Sequence, residues 1–328
     1  MLELIRSDHN YDFIGKWKIC VAGSVAIILI GVAAIPIRGV RWGIDFAGGT
    51  EMQVHFADGG TVEEGKLRNA VESVGIVEPS VVRYGEAGSS PAFLIRFKGS
   101  ADEAQGAQQN TIIDDIQKAI QAQVGEVHVD RVEFVGPKVG AELRTGGAKA
   151  MAIALLLILV YVAMRFSLEY APGGVIAVIH DVLITSSVWL LWGQQFDLQV
   201  LAALLAIVGY SINDTIVIFD RIRELMGLHT AQDLPSVINQ AVNQTLSRTI
   251  LTSGATLLSV IALLALGGKV IFPFAATMAI GIVVGTFSSV YIASPIMLLM
   301  TQRKTRNDAL SRTSNTSGKP RAKAKARA

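Results

Sequence analysis

The sequence predicts a polytopic α-helical membrane protein: six transmembrane helices, with an α+β, ferredoxin-like extracytoplasmic domain inserted after the first. Three observations predict it. Hydrophobic residues make up 51% of the 328 and charged residues only 17%, at a mean hydropathy of +0.45, too apolar for an ordinary soluble chain of this length. The charges avoid six windows, each suited to the ~20 apolar residues of a membrane crossing: about residues 18–37, 147–164, 174–192, 198–219, 249–267 and 276–300. Between the first two windows, residues 38–146 change texture to alternating and turn-rich patterns.

Residues 1–17 form a short cytoplasmic N-terminus, and 18–37 the first span. Its apolar run is longer than a signal-peptide core, and no convincing cleavage site lies near Pro36, so it reads as an uncleaved signal anchor. The sole cysteine, Cys20, excludes an intrachain disulfide. In Gly43 to Thr50, the Gly48-Gly49 pair suits a tight turn or a close backbone approach. It lacks the spacing of a phosphate-binding loop, and no Walker motif occurs anywhere.

Residues 38–146 are read as the extracytoplasmic domain. Glu51-Met52-Gln53-Val54-His55-Phe56 alternates as a half-buried strand. Asp58-Gly59-Gly60 turns the chain, and Thr61 with Glu64 predicts a capping box for a helix over 61–74. Residues 80–84 and 93–97 read as strands flanking loop chemistry at 86–91. A second helix is expected over 102–123, with Ile112, Ile113, Ile116 and Ile120 on one side, and a last strand over 127–135. This β-α-β-β-α-β order is the split βαβ arrangement. His55 and His128 have no partners at ligand spacing and read as surface or packing residues. No metal set, cofactor motif or nucleophile–base pair is evident, so neither an enzyme nor a cofactor protein is expected.

Residues 147–300 supply spans two to six. Basic residues in the flanks (Arg6, Lys16, Lys18, Arg165, Arg221, Arg223, Arg248) against Lys269 alone in the opposite short loops place both termini in the cytoplasm. The net charge of +2 hides an asymmetry: residues 301–328 hold nine of the 29 basic residues and one acid, leaving a balance of −6 elsewhere. The basic tail is expected to be disordered and drawn to anionic membrane lipids rather than to a specific nucleic acid. Residues 222–245 look like an amphipathic cytoplasmic helix starting near Asp233.

The most informative segment is Gly209 to Arg221. Counting six residues back from the charges at Asp220-Arg221 puts Asp214 roughly 9 Å inside the membrane. A carboxylate there costs at least ~2.5–3.5 kcal/mol, and such groups usually serve ion or proton traffic. The alternative is a polar residue that holds helices together. Asp181 lies ~10 Å from Gly174 along the third span, at nearly the same depth. It is therefore a second candidate, or a structural partner of Arg165 or of a hydroxyl. His180 points about 100° away and is weaker. Asn213 is placed to orient a carboxylate or a water. Thr252, Ser253 and Thr256 either line the same path or act as packing groups. Gly281 and Gly285 form a GxxxG pattern, most simply a close helix contact.

Several motifs together resemble the SecF branch of the SecD/SecF protein-export family. They are Gly43 to Thr50, Arg165-Phe166 with Tyr170 and Gly173-Gly174, His180-Asp181, the Gly209 to Arg221 block, and Asn243 to Thr249. The resemblance covers about residues 10–300. It implies half of a resistance–nodulation–division type bundle, completed by a SecD-like subunit beside the SecYEG channel of the bacterial inner membrane. It also implies preproteins as substrates and use of the proton-motive force in late translocation. It pairs Arg248 with Asp214, though an arginine near the interface can also snorkel to headgroups. Two other functions stay open on residues alone: a proton-coupled small-molecule or lipid exporter of the same fold, and a non-energised assembly factor.

Overall fold

The computed structural model describes residues 11–56, 62–84, 91–97, 106–166, 170–228 and 233–317. In chain order the elements are α1 (Trp17–Arg38), α2 (Ile44–Ala47), β1 (Gly49–Phe56), α3 (Glu64–Glu72), β2 (Ser80–Tyr84), β3 (Ala92–Phe97), α4 (Gly106–Gln123) and β4 (Val127–Val135). Then come α5 (Pro137–Arg165), α6 (Ala171–Trp192), α7 (Leu198–Leu228), α8 (Leu234–Leu266), α9 (Gly268–Ser288), a π-helical turn (Ser289–Ala293) and α10 (Ser294–Ser317).

Among the described residues six helical segments are long and apolar enough to cross a membrane; the sixth, Val270–Lys304, runs through α9, the π turn and into α10. Their burial separates inside from outside. In α6 and α7, 56% and 50% of the apolar window is buried, against 17%, 11% and 17% in α1, α5 and α8. The peripheral helices turn side chains such as Leu29, Leu157 and Leu258 outward, as a lipid-facing surface requires. Glycines set the closest approach. A Cβ on Gly281 of α9 would lie 2.1 Å from Ile207 Cδ1 of α7, and one on Gly285 3.0 Å from Ser211 Cβ, so the GxxxG pattern is the α7–α9 contact.

The inserted unit is a four-stranded antiparallel sheet in the order β2-β3-β1-β4, the ferredoxin-like order. Alternation divides its faces. Met52, Val54, Phe93 and Ile95 are fully buried against Leu67 of α3 and Ile116 and Ile120 of α4. The opposite face carries Glu51, Gln53, Arg96, Arg131 and Glu133. With Asp45 of α2 and with Asp197 and Gln199 at the start of α7, it encloses a cavity of about 200 Å3. Arg96 donates to Glu51 at 2.5 Å and also to Gln195, in the connection before α7.

The chain after α1 is stitched to that connection. Gly43 N–H donates to the Phe196 carbonyl at 2.7 Å, and Phe196 N–H to the Arg41 carbonyl at 2.8 Å. Asp45 accepts from the Leu198 amide at 3.0 Å, capping α7. Gly48 and Gly49 have φ of 75° and 139°. A Cβ on Gly48 would meet Pro137 Cα at 2.8 Å, and one on Gly49 the Phe97 carbonyl oxygen at 2.7 Å. The glycine pair is thus both a turn and a close approach.

Several boundaries differ from expectation. The helix expected over 61–74 spans Glu64–Glu72 with Glu63 at its N-cap and no side-chain capping bond; Thr61 lies outside the described residues. The span expected at 147–164 begins ten residues earlier, at Pro137, where proline suits a first helical turn. The separate amphipathic helix expected within 222–245 is instead the start of α8, unbroken into the fifth span, while α7 runs on to Leu228. Polar composition ends a hydropathy window but not a hydrogen-bonded helix. The same holds for the tail: α10 continues to Ser317, and Gly318 and Pro320 follow. Residues 85–90, 98–105 and 318–328 lie outside the described residues, and with them most of the 86–91 loop, the start of the 102–123 helix and the end of the tail.

Candidate functional site: two buried carboxylates in the helix bundle

The buried stripe of α7 runs Val200, Ala203, Leu204, Ile207, Val208, Ser211, Asp214, Thr215, Ile218, Ile222, Leu225, the 3.6-residue period of one face. Ser211 and Asp214 therefore point inward together. Asp214 is 4% exposed, and its Oδ2 accepts from Ser253 Oγ of α8 at 2.9 Å. Arg248 is within charge–charge reach of Asp214 but makes no ion pair with it; it lies on the exposed side of α8. Five residues separate it from Ser253, which places the two about 140° apart around the helix. The expected carboxylate–arginine contact is thus replaced here by a carboxylate–hydroxyl contact. Asn213, one residue from Asp214, falls on the exposed face of α7 and does not orient the carboxylate.

Asp181 of α6 is fully buried. Its Oδ2 accepts from Ser211 Oγ of α7 and from Ser288 Oγ of α9, the latter at 2.8 Å. Its Oδ1 lies 3.0 Å from His180 Nδ1. Of its two structural alternatives, the hydroxyl partnership is present and the Arg165 one is not: Arg165 pairs with Asp220 at 3.1 Å near the helix ends. His180, expected to point away, reaches back to Asp181 and stacks on Phe287. Ser211 and Asp214 are one turn apart on α7, so the two acids sit at neighbouring levels of one polar layer.

Beside this layer the last membrane segment loosens into the π turn Ser289–Ala293, a feature common at functional sites. Ser289 Oγ there bonds Thr215 Oγ1 at 2.9 Å. Thr252 and Thr256 satisfy themselves on carbonyls of their own helix, 3.0 and 3.1 Å away, as packing groups do. Ser211, Ser288 and Ser289 had no role from sequence. The inward period of α7 points to Ser211, but nothing local points to Ser288.

Away from the bundle, His55 pairs with Asp130 at 2.6 Å and stacks on His128. On α8, Asn243 exchanges hydrogen bonds with the Tyr11 backbone at 2.9 and 3.0 Å, and Asn239 accepts from the Phe13 amide at 2.8 Å. The N-terminal segment is thereby fastened beside the Asn243 to Thr249 run. At the other end of α7, burial pushes the Asp197 carboxyl above the usual carboxylate range. The Val200 amide opposes the rise, Asp45 adds to it and Arg96 again opposes it.

Comparison with known proteins converges on one family. Residues 115–303 match the C-terminal model of the SecD/SecF protein-export membrane proteins, and residues 33–58 the SecD/SecF GG motif, which contains Gly48-Gly49. The chain is 40% identical over 307 residues to the protein translocase subunit SecF of Calditerrivibrio nitroreducens, covering 91% of this chain and 97% of that one. It is 37% identical over 296 residues to the SecF of Escherichia coli O157:H7, covering 90% and 89%. The crystal structure of SecDF from Thermus thermophilus, a translocon-associated membrane protein, superposes with a TM-score of 0.79 at 33% identity over 91% of this chain. This chain spans 40% of that longer one. Two family models and relatives 37–40% identical over nine-tenths of the chain agree: the chain belongs to the SecD/SecF family of protein-export membrane proteins.

Proposed function

We propose that this chain is the SecF-type subunit of a bacterial Sec preprotein translocase, using the proton-motive force to promote late translocation and release of preproteins. The observation that carries the proton part is Asp214, 4% exposed inside an apolar bundle and held by one hydroxyl. A buried acid with a single neutral partner and a cation in reach but not in contact can change partners between protonation states. Arg248 is the proposed second partner and Asp181 the second acid. Asn213, on the exposed side of α7, faces where a companion subunit would pack.

Six spans with exposed apolar helices call for a SecD-like subunit in the membrane, and this pair would work beside SecYEG. The proposed location is the inner membrane, with both termini cytoplasmic, the sheet domain on the outer side and the basic tail near anionic lipid. The proposed role is that of a non-enzymatic coupling subunit. Each proton crossing 100 mV releases ~2.3 kcal/mol, enough to bias a domain between two positions more than tenfold. The test is completion of preprotein translocation in vesicles, with and without an imposed proton gradient, in Asp214→Asn. Loss of the gradient-dependent component, with the protein still assembled with its partner, supports the proposal. Unchanged stimulation makes Asp214 structural and favours an assembly factor.

A further inference from the structure

We infer that His180 and Asp181 form a second proton-exchange site in the bundle, separate from Asp214 and opened to an ordered water through His180 Nε2. The inference rests on the proton-driven function proposed above and adds a station to it. With Asp181 as a carboxylate, which only accepts hydrogen bonds, the 3.0 Å contact to Oδ1 assigns the ring proton to Nδ1. In the neutral ring Nε2 is then a bare lone pair. It is buried without a partner on a residue only 8% exposed. A buried acceptor of this kind calls for a water molecule. The Thr185 hydroxyl, five residues along α6 and about 140° around it, is also buried without a partner. Roofed on one side by Phe287, the lone pair has no protein donor.

The proton step balances simply. A hydronium delivered along water gives its proton to Nε2 and leaves water. The pair passes from a net charge of −1 to a neutral imidazolium–carboxylate couple. Nδ1–H can then move to Asp181 Oδ1, so the ring links a water-facing nitrogen to a carboxylate tied to α7 and α9. Unprotonated, the carboxylate depends on the Ser211 and Ser288 hydroxyls. Those contacts tie α6 to α7, and α6 to the residue just before the π turn.

Other ionisable groups lie on the helices packed against α6. Asp214 of α7 is held by Ser253, and Arg165 of α5 by Asp220. Tyr291 in the π turn packs its ring against Phe287 at a tilt of 35° and lies toward Cys20 of α1. Lys18 and Arg38 lie at the two ends of α1, and Arg303 and Arg306 near the middle of α10, where the sixth membrane segment ends. None makes a hydrogen bond or ion pair with the His180–Asp181 pair.

The test uses the full complex in vesicles with 15N-labelled histidine in this chain alone, reading the labelled imidazole infrared bands after a pH step alongside gradient-driven translocation. His180 is one of five histidines. We expect about one fifth of the imidazole difference signal to vanish in His180→Gln and to persist in Asp214→Asn, with gradient-driven translocation at least tenfold lower in both. Should His180→Gln not assemble, Ser288→Ala decides: a displaced band with tenfold lower translocation supports the site, and an unchanged band overturns it. A full imidazole signal in His180→Gln overturns the inference, as does a lost signal with undiminished translocation, while the loss in Asp214→Asn leaves the proposed function standing. If Asp214→Asn and His180→Gln both keep full gradient stimulation, the proposed function itself fails.

Discussion

Replacing Gly48 with alanine isolates what the glycine-pair turn contributes. Gly48 has φ 75° and ψ 158°, a region essentially reserved for glycine and costing about 1–3 kcal/mol for another residue. Its new Cβ would lie 2.8 Å from Pro137 Cα, a backbone atom of α5 that cannot rotate aside. Overpacking of that kind adds about 1–3 kcal/mol. Together the cost is about 4 kcal/mol, close to a thousandfold in a local equilibrium. Gly193→Ala is the control: its φ 77° and ψ 19° are left-handed helical, and the nearest atom would be Arg41 Nη1 at 3.9 Å. It should cost only about 1–2 kcal/mol. Amide hydrogen exchange on the assembled protein reads both, through the Gly48 N–H to Ile44 carbonyl bond of 2.8 Å and the Ala47 N–H to Gly43 carbonyl bond of 2.9 Å. Protection at residues 44–49 should fall at least thirtyfold more in Gly48→Ala than protection beside residue 193 falls in the control. Equal losses, or a loss under threefold, would refute the close-contact reasoning.

Other substitutions probe other links. Ile116→Ala or Ile120→Ala, each removing a fully buried side chain of the sheet domain, should cost about 2–5 kcal/mol and expose residues 49–135 to protease. Val82→Ala, at a half-exposed position, should leave digestion nearly unchanged. The Asp197 carboxyl, raised by burial, binds its proton more tightly folded than unfolded. Its contribution to stability is therefore fully present below its ordinary value and is lost as pH rises through the raised one. Asp197→Asn should flatten that decline, measured as exchange protection at Val200 and Leu201 between pH 4 and 8; an unaltered profile would contradict it. Arg165→Gln breaks a half-exposed pair, worth less than ~1 kcal/mol, and an exposed cation–π contact with Phe166, worth ~0.5–1 kcal/mol, and the variant should assemble as the parent does.

What was legible in the sequence follows from which forces are local. Alternation in Glu51 to Phe56 placed Met52 and Val54 inside because a strand's faces are set by its own residues. That Asp181 and Asp214 would lie near one level was legible because helix rise is constant: Ser211, one turn from Asp214, meets Asp181. Helix rotation was not legible: whether Ser253 or Arg248 meets Asp214 depends on which side of α8 packs against α7. The full lengths of α7 and α8 were hidden because a polar segment beside the membrane keeps its hydrogen-bond ladder. Ser288 was invisible because its role depends on α9 passing α6 at the level of Asp181, which no period in either helix encodes.

The arrangement carries a mechanical consequence. α7 is a continuous helix of 31 residues, about 46 Å at the ordinary rise. Its stripe meets Asp181 through Ser211 and meets Ser253 through Asp214, while its first amide is capped by Asp45 of α2. A small rotation of α7 on protonation would thus be delivered, through a stiff rod, to residues 41–47. From there it passes through Gly48 and Gly49 into β1, and through the Gly140 contact with Phe46 and Gly48 into α5. Arg96 adds a second tie, from β3 to the connection before α7. Damage at the glycine turn should then separate two quantities that damage at an acid does not. In Gly48→Ala the carboxyl infrared signal of Asp214 should remain while gradient-driven translocation falls; in Asp214→Asn that carboxyl signal and translocation should both be lost, the His180 imidazole signal persisting. If Gly48→Ala abolished the proton signal as well, motion would not be passing outward along α7, and the turn would instead be part of the proton path itself.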